Sequence, residues 1–184
     1  MKKMPFLKLT LFALTLLLFA CSSDNDSNSN TGLGPGKWKL GSYTFTRGVS
    51  NQSGTPANDG QLFVIVCSTS GAGNLGEYSG SAITCEFFDR GAGEYTIVDN
   101  NTFGELVNPT EKYIYIDCSI GTATTTGSAL YGCQSTTKKA IITIENNQYK
   151  VTVPEEIQMT KILDVNGGID GAATTYSFGC NKIY

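Results

Sequence analysis

The sequence predicts an all-β domain, an antiparallel β-sandwich of about nine or ten short strands. Apolar and polar residues alternate with a period of two through most of residues 36–184, and Gly, Asn or Pro interrupts the alternation repeatedly. Only 16% of the 184 residues are charged and 21 are glycine, a composition typical of short strands joined by tight turns. Apart from the ambiguous segment 156–163, no stretch has the pattern of a convincing amphipathic helix.

The clearest element is a hairpin over residues 140–153. Asn146 and Asn147 tolerate positive φ and can form a two-residue turn. Counting outward from this turn pairs Ile144 with Tyr149, and the pairs that follow on the same face are Ile142 with Val151 and Ala140 with Val153. Thr143 with Lys150 and Ile141 with Thr152 fall on the other face. A four-residue loop would preserve the same faces, so the turn length stays open.

The other strands follow from the same alternation. They are predicted at 37–46, 61–67, 81–88, 94–98, 112–120, 129–133, 156–163 and 174–184. The segment 156–163 is ambiguous because Pro154 and two glutamates would suit the start of a helix. Its apolar spacing is not helical, so we predict a strand there.

Two resemblances bear on the architecture. Gly36-Lys37-Trp38 is similar to the Gly-x-Trp opening of lipocalin-like domains, which implies a closed β-barrel as the alternative fold. The C-terminal third resembles Bacteroidetes lipoproteins predicted to be β-sandwiches. We favour the sandwich, because the closing helix of the lipocalin-like pattern is not evident.

The N-terminus has the pattern of an export signal. Residues 9–20 carry no charge and follow a start that contains three lysines. The run ends Leu18-Phe19-Ala20-Cys21, which resembles a bacterial lipobox. The resemblance implies that residues 1–20 are a signal peptide, cleaved before Cys21, and that acyl chains on Cys21 attach the protein to a membrane.

Residues 21–35 are rich in Ser, Asn, Asp and Gly, so we predict a flexible tether that precedes a single domain over 36–184. Asp24 and Asp26 resemble the acidic surface-export signal of Bacteroidetes lipoproteins. This resemblance implies an outer-membrane protein displayed outside the cell. Residence on the periplasmic face is the alternative.

The composition excludes several classes of function. The chain has no histidine, which excludes Ser-His-Asp and Cys-His catalysis and every His-ligated metal site. Removal of residues 1–20 takes away three lysines and no acids, which leaves 10 basic and 16 acidic residues and a net charge of −6. That charge argues against nucleic acid as a partner. We expect neither a cofactor nor an enzymatic activity.

Five cysteines follow Cys21 in a chain expected in an oxidising compartment. The odd number leaves at least one unpaired within the chain. Cys118 and Cys133 are the candidate disulfide, whose loop of about 15 residues would stabilise the fold by ~3 kcal/mol.

A glycine-rich loop is a candidate calcium site. Asp164, Asn166 and Asp170 place three oxygen-bearing side chains on a backbone able to curl around an ion. The loop departs from the EF-hand pattern, because Gly168 stands where a ligand is expected. A simple turn between two strands is the alternative interpretation.

Two tyrosines are a candidate glycan platform. Tyr113 and Tyr115 alternate with isoleucines, so both rings leave the same strand face as Asp117. Exposed aromatic rings beside a polar group can stack on sugars and bind their hydroxyls. Alternatively, the rings line or cover a second sheet.

These features favour a lipid-anchored cell-envelope module that binds a glycan, a small ligand or another envelope protein. The first alternative is an accessory lipoprotein within a larger assembly. The second is a glycoside hydrolase, which would need two carboxyl groups across a cleft.

The anchor assignment predicts that cells expressing the protein incorporate radiolabelled palmitate into it and that Cys21→Ala abolishes this labelling. The reason is that the thiol of Cys21 is the acylation point. Labelling that persists in the variant would refute the assignment.

Overall fold

A computed structural model describes residues 31–57, 60–69, 80–107, 109–121 and 127–184. They form eleven strands and one short helix, α1 (Asn100–Gly104). The strands are β1 (Lys37–Leu40), β2 (Tyr43–Thr46), β3 (Val49–Ala57), β4 (Gly60–Ser68), β5 (Gly80–Phe88), β6 (Gly93–Ile97), β7 (Tyr113–Gly121), β8 (Ser128–Cys133), β9 (Lys139–Glu145), β10 (Gln148–Val165) and β11 (Thr175–Ile183). The predicted all-β class is confirmed.

The predicted signal peptide, residues 1–20, lies outside the described residues, as do Cys21 and the tether up to residue 30. Within the described ranges, α1 is far too short to cross a bilayer, and no other helix is a candidate span.

All eleven strands belong to one mixed sheet that folds over a common core in the manner of a sandwich. The order is β2-β1-β11-β10-β9-β6-β7-β5-β4-β3, and β8 pairs separately with β10 and β7. The sheet ends at β2 and β3 and does not close into the alternative barrel. The pairings are antiparallel except for β6 with β7, where Thr96 aligns with Tyr113, so the expectation of a purely antiparallel sheet is corrected.

The long strand β10 explains how β8 joins this sheet as a branch. Its first part pairs with β9 and its last part with β8, while β11 runs along its other edge. The register with β11 shifts between Val153 and Ile157, around Pro154. Proline has no N–H for the ladder, so a bulge is the place where a paired strand tolerates it. The segment 156–163 is a strand, as predicted.

The hairpin of β9 and β10 has the predicted register. Ile144 pairs with Tyr149, and the remaining pairs follow in sequence. Asn146 has φ 52° and Asn147 has φ 61°, which are the left-handed values that a two-residue type I′ turn requires.

Three elements differ from the sequence prediction. The predicted strand 37–46 is two strands, β1 and β2, separated by a turn at Gly41. Gly41 has φ 59°, and a Cβ there would lie 2.6 Å from the Tyr176 ring, so no larger residue fits. Strand β3 and helix α1 were not predicted, because their polar sequences show no regular apolar alternation.

A buried hydrogen bond joins the two layers of the sandwich. Trp38 of β1 is fully buried, and its indole N–H donates to the Ser81 hydroxyl of β5 at 2.9 Å. Ser81 donates in turn to the carbonyl of Ser119 on β7 at 2.7 Å. The only tryptophan of the chain therefore fills the core and is also paired there.

The predicted Cys118–Cys133 disulfide is wrong, because both residues are buried free thiols. Cys118 lies opposite Tyr131, two residues from Cys133, so the two cysteines are diagonal neighbours. Diagonal residues of adjacent strands are about 7–8 Å apart. A disulfide needs Cα atoms within about 4.4–6.8 Å of each other.

Residues 31–35, assigned from the sequence to the tether, lie against β11. The side-chain amide of the buried Asn181 donates to the carbonyl of Leu33 at 2.7 Å. A Cβ at Gly179 would lie 2.6 Å from Cγ2 of Thr31. The ordered domain thus begins before residue 36.

Ser81→Ala should lower the free energy of unfolding by about 1–3 kcal/mol, because the buried Trp38 indole N–H and the Ser119 carbonyl lose their common partner. Urea denaturation followed by tryptophan fluorescence measures the change. Ser53→Ala, at an exposed position of β3, is the matched control and should stay within about 0.5 kcal/mol. Equal stabilities of the two variants would contradict this role of the bond.

Candidate functional site: a cleft beside helix α1

Helix α1 covers aromatic residues on the outer face of the sheet. Its one buried side chain, Phe103, packs against Phe88 of β5 and Tyr115 of β7, with ring centroids 5.7 and 6.3 Å away. Asp99 caps the helix by accepting a hydrogen bond from the Thr102 N–H at 2.9 Å. The helix therefore sits at a fixed place above β7.

A cleft of about 240 Å³ opens between α1 and the strands beneath it. Strands β7, β8 and β10, the residue that follows β8, and the start of the helix all contribute side chains. The lining residues are Asp99, Asn100, Asn101, Tyr115, Gly132, Cys133, Gln134 and Ile162.

Gly132 lets Ile162 and Tyr115 approach the backbone closely at the floor of the cleft. A Cβ at this position would lie 2.5 Å from Cδ1 of Ile162 and 2.9 Å from the Tyr115 hydroxyl oxygen. Any side chain here would therefore collide with these two residues. A glycine inside a strand often marks such a close approach.

The carboxylate of Asp99 is fixed in its ionised form. The Ser135 hydroxyl donates to it at 2.5 Å, in addition to the helix N–H of Thr102. These bonds, that from Ser135 above all, lower the pKa of Asp99 to about 2. The cleft therefore carries a permanent negative charge at physiological pH.

A second carboxyl group lies on the same face of the sheet. Asp117 is directly opposite Gly132 in the pairing of β7 with β8, and it is diagonal to Glu86 of β5. Burial raises the pKa of Asp117 to about 6, opposed by a hydrogen bond from Thr84 and reinforced by the charge of Glu86. Burial also raises the pKa of Glu86.

The thiol of Cys133 contributes to the wall of the cleft without being reactive. It donates to the Val98 carbonyl at 3.1 Å and accepts a bond from the Ile116 N–H at 3.4 Å. Burial raises its pKa to about 12, so the nucleophilic thiolate is scarce at neutral pH.

The predicted platform of two exposed tyrosines does not form. Tyr115 is only 5% exposed, since α1 covers its ring, and burial raises the pKa of its hydroxyl. Tyr113 is half-buried, and its hydroxyl donates to Glu111 at 2.7 Å. Tyr115 lines the cleft, and Asp117 lies on the same strand face, opposite the lining residue Gly132. The sequence therefore identified the strand face correctly, although the two tyrosines are not both exposed on it.

Of the candidate calcium residues, Asp164 lies near the end of β10, while Asn166 and Asp170 lie in the loop that follows it. Asn166 has φ 51° and, with Gly167, makes the turn, while the Asp164 carboxylate pairs with the Lys161 ammonium at 3.3 Å. Asp170 follows in the same loop and is exposed. Across the described ranges, these and all other Asp, Glu and Cys side chains form no group of three or more that could hold a metal ion.

A second depression, of about 340 Å³, lies where β9 meets the bulge of β10. Two lysines and two glutamates line it, Lys138, Lys139, Glu94 and Glu155. The Lys139 ammonium donates to the Thr96 hydroxyl at 2.7 Å, and Lys138 donates to the Glu156 carbonyl. Both lysines are thus engaged with Thr96 and Glu156, and the cleft beside α1 is the better candidate site.

Sequence reasoning missed Asn100, Asn101 and Gln134. They flank strands that were predicted, but nothing in the sequence shows that α1 folds back over β7. The one available signal was Asp99 three residues before Thr102, which is the spacing of a helix cap.

In comparisons with known proteins, no family model, no curated protein and no solved structure matches the chain.

Asp117→Asn should stabilise the protein at pH 7 by about 1–3 kcal/mol. A difference of one pKa unit between the folded and unfolded states corresponds to ~1.4 kcal/mol, and the partial exposure of Asp117 reduces the energy obtained in this way. Folding raises the pKa of Asp117 from 3.8 to about 6, so the ionised group opposes folding. In the parent protein this stability cost is absent below about pH 4 and grows as the pH rises to about 6.

Urea denaturation at pH 4, 5, 6 and 7 tests this prediction. The variant should show a flatter profile than the parent, with a residual slope from Glu86. Glu94→Gln, at an exposed acid, serves as the control and should leave the profile unchanged. Parallel profiles for Asp117→Asn and the parent would contradict the assigned burial cost.

Proposed function

We propose that the protein is a lipid-anchored cell-envelope recognition module, displayed on the outer membrane, whose cleft beside α1 binds one sugar ring of a glycan. The observation that carries this proposal is the lining of the cleft. It combines amide groups that bind hydroxyls with an apolar wall formed by Ile162 and the ring of Tyr115, which approach each other over Gly132.

The volume of the cleft suits a small ligand. At about 240 Å³ it is below the range of about 300–1,000 Å³ for drug-sized ligands. One small ring fits that description, and the rest of a longer chain would extend over the surface.

The polar lining matches the hydroxyl groups of a sugar. Asn100, Asn101 and Gln134 are all exposed, and each amide offers both donors and acceptors. Ile162, which is 54% exposed, supplies an apolar surface beside Tyr115 for the carbon-bound hydrogens of the ring. This pairing of polar and apolar contacts supports a sugar over a purely apolar ligand.

The position of the carboxyl groups supports binding rather than hydrolysis. Asp117 and Glu86 lie diagonally on one face of the sheet, on neighbouring strands. A glycoside hydrolase needs its two carboxyl groups on either side of the scissile bond, about 5–10 Å apart. A substrate above this face would meet both groups from the same side.

The anchor part of the proposal is supported by the lipobox-like sequence that ends at Cys21 and by the polar residues that follow it. Because residues 31–33 pack on β11, the proposed tether would be shortened to about ten residues, 21–30. Such a linker spans ~18 Å on average, enough to hold the domain close above a membrane.

A second candidate function is that of an accessory subunit in a larger envelope assembly. Ile162, Leu163 and Val165 at the end of β10 are 54%, 53% and 38% exposed. Neighbouring exposed apolar residues of this kind favour contact with another protein.

Glycan binding should depend on the close approach of Ile162 and Tyr115 over Gly132. The full-length protein in detergent is screened on a glycan array, and its best ligand is titrated by calorimetry. Gly132→Ala should weaken binding by about tenfold or more, ~1.4 kcal/mol, because the added methyl group would displace Ile162 and Tyr115, which line the cleft. Gly104→Ala is the matched control, since a Cβ at that position meets nothing within 4 Å.

Gln134→Ala, at an exposed position that should not affect folding, removes one amide and should also weaken binding. An array without any bound glycan would overturn the sugar proposal. A partner protein captured by the parent, retained by Gln134→Ala and lost with Leu163→Ser would instead establish the accessory function.

A further inference from the structure

We propose that the cleft beside α1 selects neutral sugars and rejects acidic ones, namely uronic acids, sialic acids and sulfated sugars. This inference rests on the proposed function of the same cleft and narrows its ligand to one chemical class.

The first argument is the sign of the charges around the cleft. Among the described residues that line it, the charged group is Asp99, and no lysine or arginine is present. The nearest cation along β10 is Lys161, next to Ile162, and its ammonium pairs with Asp164 at 3.3 Å. An acidic sugar would therefore enter without a counter-charge in this part of the structure.

The second argument is that the charge of Asp99 cannot be relieved. Three donors converge on its carboxylate: the Thr102 N–H, the Thr102 hydroxyl and the Ser135 hydroxyl, at 2.9, 3.0 and 2.5 Å. These bonds stabilise the ionised form, so the group does not take up a proton to accommodate a second anion.

The third argument comes from the face below the cleft. Asp117 lies opposite the floor residue Gly132, and Glu86 lies diagonal to Asp117 on the next strand. Both are partly withdrawn from water, where the repulsion between like charges is screened less than on an open surface. An entering carboxylate or sulfate would meet negative charge from Asp99 at the rim and from Asp117 and Glu86 on the strands beside the floor.

A neutral sugar meets no such opposition. Its hydroxyls can donate to remaining acceptor sites of the carboxylates, and bonds of this kind to an ionised acceptor are stronger than neutral ones. The amides of Asn100, Asn101 and Gln134 complete the polar contacts. An acidic sugar would have to lose the water around its charge and receive no compensating cation.

Matched pairs of sugars that differ only in an acidic group test the inference. The full-length protein in detergent is titrated by ligand-observed NMR at pH 7.5 with glucose and glucuronate, and with galactose and galacturonate. The neutral member of at least one pair should bind about tenfold or more tightly than its acidic partner. The preference should weaken as salt is raised, because salt screens the repulsion.

A reversed charge provides the second measurement. Gln134→Lys places a cation at the rim and should raise the affinity for the acidic sugar relative to the neutral one by about tenfold. Asn51→Lys adds the same charge at an exposed position on β3, away from the cleft, and should leave the ratio unchanged.

The possible outcomes separate the two proposals. Equal binding of both members in every pair that binds, or tighter binding of the acidic member in any pair, overturns the selectivity while the sugar-binding proposal stands. The absence of binding by every neutral and acidic sugar, on the array and in the titrations, overturns the proposed function and the selectivity with it.

Discussion

The arrangement of the whole domain depends on the continuity of β10. This strand forms hydrogen-bonded ladders with β9, β8 and β11, and so holds together the hairpin, the branch and the N-terminal part of the fold. The bulge around Pro154 lies between the part of β10 that pairs with β9 and the part that pairs with β8. A further register shift in the ladder with β8 falls at Ile162, whose Cδ1 lies close to Gly132, so the strand that organises the fold also builds the cleft.

The outer and inner faces of the sheet use polar groups in different ways. Inside, Trp38, Ser81 and the Ser119 carbonyl satisfy one another, which allows the layers to touch without an unpaired buried group. Outside, Asp117 and Glu86 are partly buried although ionisation there is costly. The inner network serves the fold, whereas the outer carboxyl groups lower stability at neutral pH.

The parts of the fold that the sequence predicted are those whose signals are local. The turn at Asn146 and Asn147 agrees with the alternation on both sides of it, so turn and faces specify one register. Strand β3 could not be predicted, because its neutral polar residues pair with β4 through backbone bonds that leave no pattern in the side chains. The pairing of cysteines failed for a related reason: Cys118 and Cys133 share a face, and only the register shows that they are diagonal.

The cleft was beyond sequence reasoning, since it forms where α1, β7, β8 and β10 meet from distant parts of the chain. What the sequence could show was that Tyr115 and Asp117 share a strand face, and that statement survives in the structure although Tyr115 is covered by Phe103.

The exceptions to ordinary packing are concentrated at this one place. Gly132 places a glycine inside a strand, Ile162 exposes an apolar side chain to water, and Asp117, opposite Gly132 on the neighbouring strand, withdraws a carboxyl group from it. Each choice taken alone is unfavourable for folding. Proteins depart from the rules of stable folding chiefly at functional sites. Three departures that converge on one cleft are therefore a physical reason to look for the activity of this protein there, independent of any likeness to another protein.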